Sequence, residues 1–227
     1  MVKIKHKNTF ARAKGLFPFV DWKDKKVLDW GGNIGSLLTS SEGEIKQENY
    51  TCVDVSSEAV EHGKIEYPYA RWIHWNAFNP VYNPEGTDKT FETNLGKYDI
   101  IFSHSVFTHT SVEDFFTANE NLKKHINVNG VICHTYLSTT RSKFFLENYM
   151  YSKRVKDYGE CYSYSCFDDI EDYCYLINNA APTQEFPKGY ERYVITLFNE
   201  NFLQTKYPNA TLTISNQRWQ NGFSLQY

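Results

Sequence analysis

The sequence predicts an α/β protein built on a doubly wound, mostly parallel seven-stranded sheet, and three observations carry that expectation. Short, nearly continuous apolar runs alternate with amphipathic stretches five times between residues 26 and 137, the pattern of repeated βαβ units. The runs are too uniformly apolar for a sheet with one wet face, as expected where helices cover both faces. Two alternating segments, Thr211 to Asn216 and Phe223 to Tyr227, flank Gln220-Asn221-Gly222 near the end of the chain. They read as an antiparallel hairpin that brings the strand count to seven.

Each element has its own signal. Thr9 to Phe19 spaces apolar residues near the helical period behind Asn8 or Thr9 as a cap, and residues 1–22 read as an N-terminal cap helix. Lys26 to Trp30 is the first strand and Ile34 to Ser40 a short helix. Tyr50 to Val55 is the second strand, after which Ser56 caps a helix carrying Glu58 in its first turn. Arg71 to Trp75 and Tyr98 to Phe102 are the third and fourth strands. Between them Asn79-Pro80-Val81-Tyr82 is an ordinary turn. Glu113 to His125 places Phe115, Phe116, Ala118, Asn119 and Leu122 near one helical face. Asn129-Gly130 turns the chain into the fifth strand, Val131 to Leu137.

The whole of 1–227 is expected to form one domain, with a core at 23–140, an insertion at 141–193 and C-terminal strands at 194–227. Nine of the 17 tyrosines fall between Arg141 and Tyr193 with no clean period. Amphipathic rings suit a surface that is apolar inside and wet outside, so this stretch reads as a Tyr-rich lid insertion over the carboxyl edge of the sheet. A packing annex without ligand contact is the alternative.

Bulk properties narrow the function classes. With 227 residues, 41% hydrophobic and 22% charged, the chain is long enough for one sizeable core and has a globular composition. A net charge of -3 disfavours a partner held by phosphate neutralisation, so no nucleic acid is expected. No apolar stretch approaches the ~18 residues that span a bilayer, and the polar start from Met1 to Asn8 is unlike a signal peptide. Cys52, Cys133, Cys161, Cys166 and Cys174 contain no C-x-x-C pair and read as free thiols of a cytoplasmic protein. His6, His62, His74 and His125 show no ligand spacing, and no metal is expected.

The chemistry concentrates where the first strand ends. Val27-Leu28-Asp29-Trp30-Gly31-Gly32-Asn33-Ile34-Gly35 leaves an apolar run for a glycine-rich turn, and Asp54 closes the next strand. Glycines allow a sharp exit and a close approach to a ligand. A carboxylate about 20 residues later suits ribose hydroxyls. The dinucleotide pattern G-x-G-x-x-G/A fails at Asn33 and Ser36, and the phosphate loop fails because no lysine follows Gly35. D-x-G-x-x-x-G remains, with Asn33, a residue tolerant of the left-handed conformation, between the glycines. On these residues the chain resembles the class I S-adenosylmethionine-dependent methyltransferases, over about residues 20–137 and the tail.

The resemblance implies a site at the strand ends. Asp29, Gly31, Gly32 and Gly35 would surround the amino-acid part of S-adenosylmethionine. Asp54 would take the ribose and Val55 would wall the adenine. Asn76 and Ala77 stand where an acidic residue commonly meets the adenine amino group, and the Asn76 carbonyl can accept that bond. Ser103 begins the post-strand segment beside the reactive methyl group, with His104 and His109 as candidate general bases. The expected reaction is methyl transfer to a small-molecule acceptor, with oxygen preferred to nitrogen and S-adenosylhomocysteine as product. A different S-adenosylmethionine-using enzyme and a silent binding module of the same fold are the rival readings.

Overall fold

The structure is a computed structural model of the chain and describes residues 8–79, 82–88, 91, 95–110, 112–138, 173–178, 193–215 and 220–227. Two compact units emerge. One comprises Met1–His104, Glu120–His134 and Ser224–Tyr227; the other comprises Ser105–Asn119 and Thr135–Phe223.

The first unit holds the parallel strands. They are β1 (Val27–Trp30), β2 (Tyr50–Asp54), β3 (Arg71–His74), β4 (Tyr98–Ser103) and the first part of β5 (Ile126–Ser138), in the order β3-β2-β1-β4-β5. Every pairing among them is parallel. The order reverses beside β1, the place where open α/β sheets gather ligands. Helices α1 (Thr9–Leu16), α2 (Ser36–Ser40) and α3 (Ser57–Glu66) belong to this unit.

One face of these strands explains why the short elements hold. Phe10, Ala13 and Leu16 of α1 and Leu37 and Leu38 of α2 share a buried cluster with Val27, Cys52, Ile100, Phe102 and Cys133 of the strands. Trp22 locks it from the loop before β1, its ring 5.5 Å from Phe10 and 5.7 Å from Phe102, both edge-on. Burying one such large side chain is worth ~1.5–3 kcal/mol, more than the propensity of a helix as short as α2 supplies. Ser56 caps α3 as expected, accepting from the Ala59 amide at 3.2 Å.

In the second unit β6 (Tyr173–Asn178) pairs antiparallel with β7 (Tyr193–Phe198), and β7 pairs parallel with the end of β5 at Leu137 and Ser138. Phe115 of α4 (Val112–Leu122) is the centre of its core, with ring centroids 5.0 Å from Phe107, 5.0 Å from Phe198 and 5.5 Å from Phe223. Helix α5 (Glu200–Lys206) follows β7, and β8 (Thr211–Thr213) pairs with β9 (Gln220–Gln226).

Several boundaries differ from the sequence reading. Asn129-Gly130, read as a turn, lies inside β5, which begins at Ile126. Asn129 is left-handed (φ 65°), and the register with β4 slips between Tyr98 and Ile100, so the turn chemistry makes a bulge instead. Gln220-Asn221-Gly222 likewise lies in β9, where Asn221 accepts from the Ser215 amide at 3.1 Å. The described strands therefore number nine. The stretch 194–227 is not strands alone: Asn199 caps α5, accepting from the amides of Asn201 (2.8 Å) and Phe202 (3.4 Å). Within the expected lid, Tyr173 and Tyr175 belong to β6. Its parts at 141–172 and 179–192 lie outside the described residues, as do Cys161 and Cys166.

Candidate active site

The glycine turn leaves β1 in three left-handed steps. Gly31 (φ 72°), Asn33 (φ 52°) and Gly35 (φ 81°) occupy the region that L side chains avoid. Asn33 is suited to it because its own Oδ1 accepts from the Ile34 amide at 2.9 Å, a local bond that offsets part of the backbone cost. Gly32 is required on packing grounds. A Cβ there would lie 2.6 Å from the Asp29 carboxyl carbon and 2.8 Å from Cys52 Sγ. The Gly31 amide donates to the Val53 carbonyl at 2.7 Å, which ties the turn to β2.

Asp54 ties it a second time. One carboxylate oxygen accepts from the Asn33 amide at 2.7 Å and the other from the Ser56 amide at 2.8 Å, so this acid joins the turn to the start of α3. Burial pushes its pKa up, and the amides of Ser56, Asn33 and Val55 oppose that push. Each oxygen keeps acceptor capacity for a further donor. Asp29 is more deeply placed. It is 2% exposed, accepts from the Tyr50 hydroxyl at 2.6 Å, and is pushed up to about 7 by burial, with nearby Asp54 adding to the effect and Tyr50 opposing it.

The third strand end is built from aromatics and amides. Trp75, just past β3, donates its backbone N–H to the Asp54 carbonyl at 2.9 Å. Its ring lies 5.2 Å from Trp30 and 5.5 Å from Phe91, while its buried indole N–H has no hydrogen-bond partner among the described residues. Asn76 is engaged within its own loop. Its side-chain carbonyl, expected to face adenine, accepts from Asn83 Nδ2 at 3.1 Å, and its Nδ2 donates to Thr87 Oγ1 at 3.2 Å. Ala77 is buried and bridges to Asp88. Val55 presents its carbonyl to His74 Nε2 at 3.1 Å. Of the expected turn at Asn79-Pro80-Val81-Tyr82 the two ends are described, and Asn79 Oδ1 accepts from the Tyr82 amide at 2.9 Å.

At the end of β4, Ser103 turns inward. Its Oγ lies 2.6 Å from His134 Nδ1, and both residues are fully buried. Burial lowers the His134 pKa to about 3, which keeps that imidazole neutral. His104 follows, half-buried and stacked on Phe102 at 6.4 Å and 22°.

The first unit thus brings together Asp29, Gly31, Gly32, Gly35, Asp54, Val55, Asn76, Ala77, Ser103 and His104 at its strand ends. His109 belongs to the second unit, in the tight turn Phe107–His109, where its amide donates to the Val106 carbonyl at 2.9 Å. Sequence reasoning missed three members. Tyr50 opens a strand 21 residues from Asp29, and only the pairing of β1 with β2 joins them. Trp30 and Trp75 did carry a signal, each standing beside a residue already singled out. Among the described residues, no group of three His, Cys, Asp or Glu side chains is arranged to hold a metal ion, and no helix is long and apolar enough to cross a membrane.

Comparison with known proteins bears on the family and the fold. Residues 28–132 match the family model of a methyltransferase domain. The fold is similar to that of an S-adenosylmethionine-dependent methyltransferase from Clostridium acetobutylicum, at 14% identity and a TM-score of 0.56 over 99% of this chain and 92% of the other. It is also similar to the glycopeptide N-methyltransferase MtfA in complex with S-adenosylmethionine (7% identity, TM-score 0.58, 99% and 98% covered). A third structure of this kind is the magnesium protoporphyrin IX methyltransferase of Synechocystis with bound S-adenosylhomocysteine (12% identity, TM-score 0.52, 98% and 84% covered). At these identities the likeness is one of fold.

Proposed function

We propose that this chain, a class I S-adenosylmethionine-dependent methyltransferase, methylates a hydroxyl of a small-molecule acceptor, with a histidine taking the proton. The observation that carries this reading is the pairing, in one unit, of the glycine turn clamped by Asp54 with the half-buried imidazole of His104 at the end of the neighbouring strand β4. The cofactor suits the residues present. Asp54 retains acceptor capacity for ribose hydroxyls, and the buried Trp75 N–H is a donor with no acceptor among the described residues. When bound, S-adenosylmethionine supplies a methyl group on a positively charged sulfur.

What remains for the protein is holding, orienting and moving one proton. Asp54 and the turn hold the nucleoside end, while Asn76, tied to Asn83 and Thr87, keeps the loop after β3 in place beside it. His104 accepts the proton that an acceptor hydroxyl must lose, and His109 is the second candidate. His134 does neither: neutral and sealed against Ser103, it fixes the strand end from which His104 projects. Positioning supplies the rest of the barrier reduction, as it does for in-line displacements generally.

The net charge of -3 supports a small acceptor over nucleic acid. So do the acceptors named for two proteins of like fold, a glycopeptide and magnesium protoporphyrin IX. The reduced, buried thiols of Cys52 and Cys133 support a cytoplasmic setting. An acceptor screen read by S-adenosylhomocysteine release tests the reading, followed by separate His104→Ala and His109→Ala variants. Loss of a general base lowers kcat by roughly 10²–10⁴ and removes the acidic limb of the pH–rate profile. Undiminished turnover in both variants would leave no histidine base, and a screen in which only amines are methylated would replace oxygen with nitrogen.

A further inference from the structure

We infer that Tyr50 is a positioning residue for cofactor binding: its hydroxyl holds Asp29 as the buried counter-charge to the ammonium group on the methionine part of S-adenosylmethionine. The inference rests on the glycine turn being the cofactor's seat. Three features support it. The Tyr50 Oη to Asp29 Oδ2 bond is 2.6 Å long, between residues 1% and 2% exposed, so water does not compete for it. The carboxyl lies against the turn, with its carbon 2.6 Å from where a Gly32 Cβ would stand, so only a glycine at 32 leaves it that place. Among the described residues no cation answers the charge. The titratable groups bearing on Asp29 are Tyr50, Cys52 and Asp54, all on β2; its register partner on β4 is Phe102, and α2 carries no charged residue.

A buried carboxylate without a cation takes a proton or waits for a charge brought by a ligand. Tyr50 favours the second course. It donates to the ionised form, and burial keeps its own hydroxyl protonated by raising its pKa. Its ring is held independently by Trp72, 5.9 Å away at 60°, so removal of the oxygen alone leaves the packing in place.

Calorimetric titration of the full chain with S-adenosylmethionine and with 5′-methylthioadenosine, which has the nucleoside but no ammonium group, tests this between pH 5.5 and 7.5. The wild-type chain is expected to bind S-adenosylmethionine more tightly as pH rises, and 5′-methylthioadenosine with no such trend. Tyr50→Phe should weaken S-adenosylmethionine binding about tenfold, the lower end for a hydrogen bond to a charged group. It should also move the pH dependence upward and leave 5′-methylthioadenosine within about twofold. Asp29→Asn should abolish the pH dependence, and adding Tyr50→Phe to it should change little.

If Tyr50→Phe alone does not fold, the double variant should fold, because the hydroxyl matters through Asp29; failure of both overturns the inference. Unchanged S-adenosylmethionine affinity and pH profile in Tyr50→Phe, or equal loss of both ligands, also overturns it while leaving the cofactor site standing. A wild-type chain that binds neither ligand overturns the cofactor reading and this inference together.

Discussion

Replacing Asp29 with asparagine removes a carboxyl that the fold holds under the glycine turn, and the effect on stability should depend on pH in a calculable way. Asp29 titrates at about 7 in the folded chain against an ordinary 3.8. Below about pH 4 it is protonated folded or unfolded and costs nothing. Between about 4 and 7 the unfolded chain ionises and the folded chain does not, so folding stability falls as pH rises, by about 1.4 kcal/mol per pH unit. Above about 7 the loss levels off at on the order of 4 kcal/mol. Asparagine keeps an oxygen for the Tyr50 hydroxyl and carries no charge. Urea unfolding of both proteins at pH 5, 6, 7 and 8 isolates the group, because the difference between them cancels every other titration. The difference should move towards the variant across this range and flatten by pH 8. A difference that stays constant within about 0.5 kcal/mol would refute the argument, since it would mean that the folded and unfolded chains ionise Asp29 alike.

Other positions give sharper single readings. Asp54→Ala should weaken S-adenosylmethionine binding by about 2–4 kcal/mol, the worth of one or two hydrogen bonds to a charged group, as measured by calorimetry; unchanged affinity would remove the ribose assignment. Ser56→Ala deletes the cap of α3 and should lower unfolding free energy by about 0.5–2 kcal/mol in chemical denaturation. Ser103→Ala leaves the His134 Nδ1 bond unmade and should cost about 1–3 kcal/mol. His134→Gln tests the opposite pH sign to Asp29. The folded value of His134, about 3, lies below its ordinary 6.5, so its stability is present above pH 6.5 and is lost as pH falls, and the variant should gain on the wild type between pH 6.5 and 4.5.

The strand ends were legible because each apolar run stops at a residue whose chemistry breaks it: Asp29 before the glycines, Asp54 before Ser56, Ser103 before His104. Asn33 was legible as a left-handed residue because its side chain closes a bond on its own neighbour, a local property. What escaped was set by pairing between segments. Tyr50 meets Asp29 only because β1 and β2 are adjacent, and nothing near Tyr50 in sequence announces it. Asn129-Gly130 and Asn221-Gly222 both led to the wrong conclusion, because strand pairing decides where such residues sit: left-handed Asn129 serves a bulge in β5, and Asn221-Gly222 runs on inside β9. The cap of α5 was readable, with Asn199 before Glu200, but the polar-apolar alternation that follows drew the reading toward strands. Asn76 looked free for adenine because its bonds to Asn83 and Thr87 are made by a loop with no regular period.

Trp72 limits what substitution can do at two glycines at once. Its indole lies 2.7 Å from where a Cβ of Gly35 would stand and 2.4 Å from that of Gly63, so one ring excludes a side chain from the turn and from α3 at once. The two exclusions are unequal. Gly35 is left-handed as well, with φ 81°, and stays restricted whatever occupies position 72. Gly63 sits in an ordinary helical position, where alanine would otherwise be favoured by about 1 kcal/mol. Positions 63 and 72 should therefore covary, alanine or larger at 63 accompanying a smaller residue at 72, while position 35 stays fixed in every background. In that sense Trp72 makes the composition of α3 hostage to the cofactor turn, and its loss would be the step that frees the helix to drift.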